Sequence, residues 1–261
     1  MMKLEVKDVV KNFGGMQALG GVNITIDKSE IVGLIGPNGA GKTTLTNVID
    51  GVHKPTSGEV WLNGERIDPL PPYQIARRGL GRTFQVTRAF RRMTVLENMM
   101  VPAMAINPAA HRKDVLDKAW EILRFLTIEH LANEYGRGLS GGQQKLLELA
   151  RLLMLDPDFV ILDEPFAGVH PKLQETIYGY ISKVRKEGKA IILISHDMDS
   201  IFTLSERLIV LEFGTIIADG LPEEVKEDPV VIKAYLGEEV GRDLAHDLDL
   251  GQGLGKGGEK A

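Results

Sequence analysis

Over the first thirty positions apolar and polar side chains alternate. Leu4-Glu5-Val6-Lys7-Asp8-Val9 has the two-residue period of a half-buried strand, and Val22-Asn23-Ile24-Thr25-Ile26, after Phe13-Gly14-Gly15, predicts its antiparallel neighbour. The pattern then changes. Ile31-Val32-Gly33-Leu34-Ile35 is continuously apolar, as a strand covered on both faces must be, and Thr43 to Ile49 sets Leu45, Val48 and Ile49 on one helical face. Ser57 to Leu62 with Asn63-Gly64 reads as strand and turn, and Pro69-Leu70-Pro71-Pro72 as a further turn. Residues from about 94 to 155 read as helical throughout. Val115, Leu116, Ala119, Ile122, Leu123 and Leu126 recur at helical spacing, Trp120 and Phe125 widen the stripe, and Pro102 and Pro108 bracket the loop before it. After Ser140 a second helix carries Leu146, Leu147, Ala150, Leu153 and Met154 on one face. Two more continuous apolar strands follow, Phe159 to Leu162 and Ala190 to Ile194. They flank a helix that starts at Pro171, turns Leu173, Ile177, Ile181 and Val184 inward and closes at Gly188. Leu208 to Leu211 and Thr215 to Ala218, joined through Phe213-Gly214, form a closing hairpin. Beyond Gly237 the pattern fails, and the charged, then glycine-rich residues 238–261 predict a disordered tail.

Composition narrows this picture without redirecting it. A chain of 261 residues, 43% hydrophobic, can bury a core for one large domain or two lobes. With 31 basic and 36 acidic residues the net charge is −5, so no global basic field points to nucleic acid. The sequence contains no cysteine, which excludes disulfides, thiolate zinc sites and a catalytic thiol and agrees with a cytosolic setting. No apolar run approaches the roughly 20 residues that cross a bilayer, so the chain is expected to be neither exported nor membrane-spanning on its own.

The chemistry centres on Gly36-Pro37-Asn38-Gly39-Ala40-Gly41-Lys42-Thr43-Thr44, which fits G-x-x-x-x-G-K-[ST] between an apolar strand and a helix. Glycines there let backbone N–H groups close around phosphate oxygens at the positive end of the helix. In such a cradle Lys42 would neutralise the β- and γ-phosphates, and the Thr43 hydroxyl would ligate the bridging Mg²⁺. Asp163 and Glu164 end an apolar strand, where α/β sheets bind ligands; Asp163 can hold Mg²⁺ through water and Glu164 can orient or deprotonate an attacking water. Ser195-His196-Asp197 ends another such strand, which favours a chemical role for His196. Ser140 and Gln143 have the spacing of a capping box, yet Gly141 and Gly142 weaken the helix they open and would admit a bulky anion. Phe13 could stack on a base, although the residues alone favour a strand-end core position. Of the six arginines Arg77, Arg78, Arg82, Arg88, Arg91 and Arg92, the outer members read as a solvated face.

Taken in order, these segments resemble the ATP-binding subunits of ABC transporters over about residues 3 to 237. The resemblance implies a phosphate loop at Gly36 to Thr43, a glutamine loop at Gln85, a signature at Leu139-Ser140-Gly141-Gly142-Gln143, an acidic motif closed by Asp163 and Glu164, and a switch histidine at His196. Phe13 matches the position that stacks on adenine. Gly81-Arg82-Thr83-Phe84-Gln85, Met93 to Asn98 and Ala167-Gly168-Val169-His170-Pro171 resemble the subfamily that serves branched-chain amino acid import. An ATPase of lipopolysaccharide extraction, sharing Ala76-Arg77-Arg78-Gly79 and Phe90-Arg91-Arg92, is the alternative. The implied fold is an α/β P-loop NTPase with a mixed sheet core, an N-terminal antiparallel β part and an inserted helical subdomain. It divides the chain into a catalytic lobe (1–93 and 156–237), a helical signature subdomain (94–155) and a tail (238–261). The implied chemistry is hydrolysis of ATP with Mg²⁺ by Lys42, Gln85, Glu164 and His196, the metal being held by Thr43, Gln85 and Asp163. Ser140 to Gln143 would complete the site of a second ATP-binding subunit, with integral membrane permeases and an extracytoplasmic solute-binding protein as further partners. The subunit would lie at the cytoplasmic face of the membrane. One departure stands out: His170 occupies a position where most ABC ATPases carry Asp, so it offers no carboxylate for the usual cross-subunit contact.

Overall fold

The computed structural model describes residues 3–84 and 89–235. The sequence readings at Gln85, Arg88 and the tail 238–261 lie outside the described residues.

Two sheets organise the chain. β1 (Lys3–Phe13), β2 (Met16–Asp27), β4 (Ser57–Leu62) and β5 (Glu65–Arg66) form an antiparallel sheet in the order β2-β1-β4-β5. Its first hairpin is longer than the alternating runs suggest, because the register slips between Val6 and Val9, where Asp8 adopts φ 48°, and the slip resets which residues face inward. The second sheet has the order β10-β9-β3-β8-β7-β6, built from β3 (Ile31–Ile35), β6 (Leu80–Arg82), β7 (Phe159–Asp163), β8 (Ala190–Ile194), β9 (Arg207–Glu212) and β10 (Thr215–Gly220). It is parallel apart from the β9–β10 hairpin.

The continuous apolar strands are explained by cover on both faces. From β3, β7 and β8, the side chains of Ile31, Ile35, Val160, Leu162, Ile191 and Leu193 join one buried cluster. Val32, Leu34, Phe159, Ile161, Ile192 and Ile194, pointing the other way, join a second with the antiparallel sheet and α1 (Lys42–Ile49). The first cluster is completed by α3 (Val95–Ile106), α4 (Arg112–Phe125), α5 (Gly141–Leu155) and α6 (Pro171–Lys186). Fully burying each large aliphatic side chain in these clusters stabilises the fold by about 1.5–3 kcal/mol.

Three sequence expectations need correction. The stretch 94–155 is not helical throughout: between α4 and α5 the chain makes only single 3-10 turns at Glu129–Leu131 and Gly136–Gly138, held by backbone bonds such as Gly136 N–H to Met93 O (2.9 Å). Pro102 lies inside α3 rather than at the edge of the loop before α4; its ring is buried, and packing offsets the one helical hydrogen bond it removes. The proline-rich turn at 69–72 leads directly into α2 (Pro72–Arg77), because proline fits the first helical position, where its missing N–H costs nothing. α7 (Met198–Leu204) and α8 (Pro222–Glu227) follow, and residues 229–235 are again helical.

Candidate functional site

The carboxyl ends of β3, β7 and β8 open on a cleft of about 550 Å³. Its lining includes Asn38, Gly39, Ala40, Gly41, Lys42, Thr43 and Thr44 from the loop after β3, Asp163 and Glu164 after β7, and His196 after β8. Six consecutive residues, from Gly36 to Gly41, connect β3 to α1, and glycine is required at particular points of that loop. Gly36 has φ 145°, and a Cβ there would lie 2.0 Å from the carbonyl oxygen of Leu211 in β9. Gly39 has φ 79° with nothing near its would-be Cβ, so its bare face opens on space. Gly41 caps α1 in the left-handed region, so the helix starts at the cleft with its positive end. Lys42 Nζ donates to the carbonyls of Gly36 and Pro37, the latter at 2.8 Å, which fixes the ammonium above the loop.

Opposite the loop sits a buried carboxylate pair. Glu164, the first residue beyond β7, adopts φ 51°, unusual for a residue with a Cβ, and its N–H bonds Ile194 O at 2.9 Å. Its side chain meets both ends of His196: Oε1 is 3.4 Å from Nε2, and Oε2 accepts the backbone N–H at 3.3 Å. Burial pushes the Glu164 carboxyl above the usual carboxylate range, and the neighbouring Asp163 charge adds to this, while His196 and Lys42 pull the other way. Asp163 donates its backbone N–H to Thr83 Oγ1 (3.0 Å), and its Oδ2 accepts from Arg82 Nη2 at 3.0 Å. Among the described residues no protein group bonds its other oxygen. Thr43 and Asp163 thus offer two hard oxygen donors from facing walls of one cleft. That set fits a small divalent cation that keeps several waters and shares phosphate oxygens, as Mg²⁺ does.

Phe13 reaches the same cleft from the end of β1. It is 39% exposed, so it is not a core residue, and its ring meets His53 edge-on at 5.2 Å. Met16, Gln17 and Ala18 of β2 and Phe213 at the β9–β10 tip also line the cleft, and sequence reasoning missed them. Their signal was indirect: the Gly214 N–H bonds Ala40 O (2.8 Å) and Gly214 O accepts from Gly20 (2.9 Å), so one turn glycine pins hairpin, β2 and phosphate loop together.

Ser140, Gly141, Gly142 and Gln143 do not line the cleft of their own chain. They open α5 with a capping box in which Ser140 Oγ accepts the Gln143 N–H (3.3 Å) and Gln143 Oε1 accepts the Ser140 N–H (2.9 Å). Gly142 also has a packing reason, since a Cβ would lie 3.1 Å from Leu173 of α6. His170 caps α6 with Nδ1 accepting the Lys172 N–H at 3.3 Å, the acceptor duty an Asp carboxylate performs at a helix start.

A second concavity of about 470 Å³ lies between the α2–β6 region and α5, walled by Ile75, Phe84, Phe90 and Leu152 with Arg82, Glu148 and Arg151. Glu148 Oε1 accepts the Phe84 N–H at 2.7 Å, and burial raises its carboxyl above the usual range against the pull of that bond and of Lys145 and Arg151. Among the described residues no helix is long and apolar enough to cross a membrane.

Residues 19–167 match the family model described as ABC transporter, and residues 215–241 match that described as Branched-chain amino acid ATP-binding cassette transporter. The chain is 39% identical over 249 residues to the high-affinity branched-chain amino acid transport ATP-binding protein BraF of Pseudomonas aeruginosa, covering 90% of this chain and 98% of that protein. The corresponding LivG protein of Escherichia coli K12 gives the same identity and the same coverage, 39%, 90% and 98%. Among solved structures, the ADP conformation of an ATP-binding cassette of an ABC transporter superposes with a TM-score of 0.79 at 35% identity, over 91% of this chain and 99% of that one. A dimeric post-hydrolysis cassette bound to ADP and Pi gives 0.77 at 29% identity, over 84% and 98%.

Proposed function

The chain belongs to the ABC transporter family as an ATP-binding, ATP-hydrolysing subunit, and from that premise we propose that it powers an importer of branched-chain amino acids. The observation that carries the substrate class is the match of residues 215–241 to the branched-chain model. It favours this reading over lipopolysaccharide extraction, which rests on Ala76 to Gly79 and Phe90 to Arg92 alone.

In this reading the cradle from Gly36 to Thr44 grips the phosphates of ATP, Lys42 exchanges the loop carbonyls for phosphate oxygens, and Phe13 stacks on adenine. Thr43 and Asp163, with Gln85, would hold Mg²⁺, which when bound would neutralise phosphate charge as it develops. Glu164 draws the proton from the attacking water, and its raised pKa brings a carboxylate closer to the operating pH, where a general base works best. His196 fixes that carboxylate through the contacts at both of its oxygens. A second ATP-binding subunit, identical or related, supplies Ser140 to Gln143 in trans, and ATP-driven closure of the pair moves permeases seated in the groove between the lobes 1–93 with 156–237 and 94–155. An extracytoplasmic solute-binding protein delivers the amino acid, and this subunit works peripherally at the cytoplasmic face.

The test is uptake of labelled leucine, isoleucine and valine by cells lacking this chain. Uptake should fall to background and return with the wild-type chain but not with Glu164→Gln. Undiminished uptake of all three overturns the substrate class, and retained lipopolysaccharide in the same cells would install the alternative.

A further inference from the structure

Among the described arginines from Arg77 to Arg92, Arg82 alone turns fully inward, its side chain 5% exposed. Its fork divides between two elements of the nucleotide cleft. Nη1 donates to Asn47 Oδ1 (2.7 Å) and Asp50 Oδ2 (2.6 Å) at the far end of α1, the helix that begins at Lys42. Nη2 donates to Asp163 Oδ2 (3.0 Å) at the end of β7. The next residue reinforces the grip: Thr83 N–H bonds Ile161 O (2.9 Å), and its hydroxyl accepts the backbone N–H of Asp163. Asp163 is thereby held at main chain and carboxylate by two consecutive residues, and only one of its oxygens is left toward the cleft.

The charge count matters as much as the geometry. One guanidinium shared by two carboxylates leaves a net negative charge on the trio, so a cation arriving at the free oxygen of Asp163 still meets an attractive group. Were Asp163 the sole partner of Arg82, the cation would meet a neutral pair. Groups that orient a metal's ligands from behind tune its affinity in this way.

We propose that Arg82, with Asp50 sharing its charge, is the positioning residue that aims Asp163 at the nucleotide-bound metal. The inference rests on the reading that Asp163 helps to hold Mg²⁺, and its test separates the two. A fluorescent ATP analogue is titrated into the purified full-length chain in excess EDTA and in saturating Mg²⁺, with hydrolysis negligible over the measurement. The ratio of the two Kd values reads how strongly metal and nucleotide support one another.

Arg82→Gln should keep the EDTA Kd within about twofold while the ratio falls about tenfold, the scale found when a metal ligand loses its orienting partner, the lost aim of Asp163 outweighing the negative charge the trio gains. Arg82→Lys keeps a charge but not the fork and should recover only part of the ratio. Asp50→Asn still offers an oxygen to Arg82 and touches neither Asp163 nor the cleft, yet it should lower the ratio because Arg82 then neutralises Asp163 alone. That variant decides the matter if Arg82→Gln does not fold. An unchanged ratio in the folded variants overturns the proposal. Asp163→Asn is the reference: if it loses the metal effect while the Arg82 and Asp50 variants keep it, only this inference fails, and if it too leaves the ratio unchanged, the metal reading falls with it.

Discussion

Glu164 is held against the usual preferences of a glutamate, with a positive φ, a buried carboxyl and a histidine across both of its oxygens. Such strain is kept where surrounding structure over-determines it, and here the bond to Ile194 O and the His196 contacts do so. Glu164→Gln preserves shape and hydrogen bonding but removes the base, so ATP binding should persist while turnover falls by about 10²-fold or more, read by phosphate release. The raised pKa gives the wild-type rate a signed pH dependence. The protonated form is the inactive one, so kcat/KM should decline on acidification at a pH above that of an ordinary carboxylate, and the residual rate of Glu164→Gln should lack that limb. Phe13 poses a different question. Strand parity gives the side of β1 on which it lies, but whether another layer covers that side is decided by chain far away, so the sequence alone pointed to core. With its ring 39% exposed at the cleft, Phe13→Ala should weaken ATP binding by about 1 kcal/mol, roughly fivefold, and Phe13→Trp should be tolerated. Equal losses in both by equilibrium binding would remove the stacking role.

Among the elements, those that carry their own signal were legible and those that borrow stability were not. β3, β7 and β8 announce themselves because burial on both faces demands unbroken apolar runs, and α5 and α6 because one face must be apolar over four turns. β6 spans only Leu80–Arg82 and exists because β7 pairs with it, so its sequence looked like part of an arginine-rich surface. The hub Arg207 was equally hidden, since its bonds to Glu30 Oε1 (3.1 Å), Thr25 O (3.0 Å) and Asp219 tie the β9–β10 hairpin to a segment far back in the sequence. The phosphate loop lets element and ligand be told apart by two substitutions of one kind. Gly36→Ala would drive a Cβ into the Leu211 carbonyl and should cost about 3 kcal/mol or more of stability, by denaturant unfolding, with nucleotide binding lost as a consequence. Gly39→Ala meets no protein atom and carries only the penalty of a left-handed residue, about 1–2 kcal/mol. It should stay folded and still lose ATP, because its methyl occupies space that a phosphate needs. If Gly39→Ala binds ATP as the wild type does, the loop is not a phosphate cradle.

At the scale of the whole molecule, the signature segment stands outside its own chain's cleft. Ser140 is exposed at the start of α5, its capping bonds are satisfied within the chain, and it lines no part of its own chain's cleft. A helix start so complete explains Ser140 and Gln143 but gives no local reason for Gly141, whose would-be Cβ has nothing within 4 Å. Completing a second subunit's site supplies one, and the dimeric cassette among the structural relatives shows that this fold pairs. In a head-to-tail pair each site joins one subunit's cradle to the other's signature. Mixing Lys42→Ala chains with Ser140→Asp chains therefore concentrates both lesions in one site and leaves the other wild-type. With Glu164→Gln added to both chains to stop turnover, the mixture should form an ATP-dependent dimer holding one occluded nucleotide, measured by size exclusion with labelled ATP. Where the natural partner is a different ATPase, the two lesions are divided between that protein and this chain. Each lesion alone should give no dimer: Lys42→Ala loses its grip on the phosphates, so no ATP joins the pair, and Ser140→Asp sets like charges against one another across the interface, which costs several kcal/mol, enough to suppress pairing by about 10²-fold. First-phase ATP binding by Ser140→Asp should remain near wild type, since its own cradle is intact. If Ser140→Asp alone dimerises and occludes ATP as the unmodified chain does, the segment is only a capped helix and the shared site is wrong for this protein.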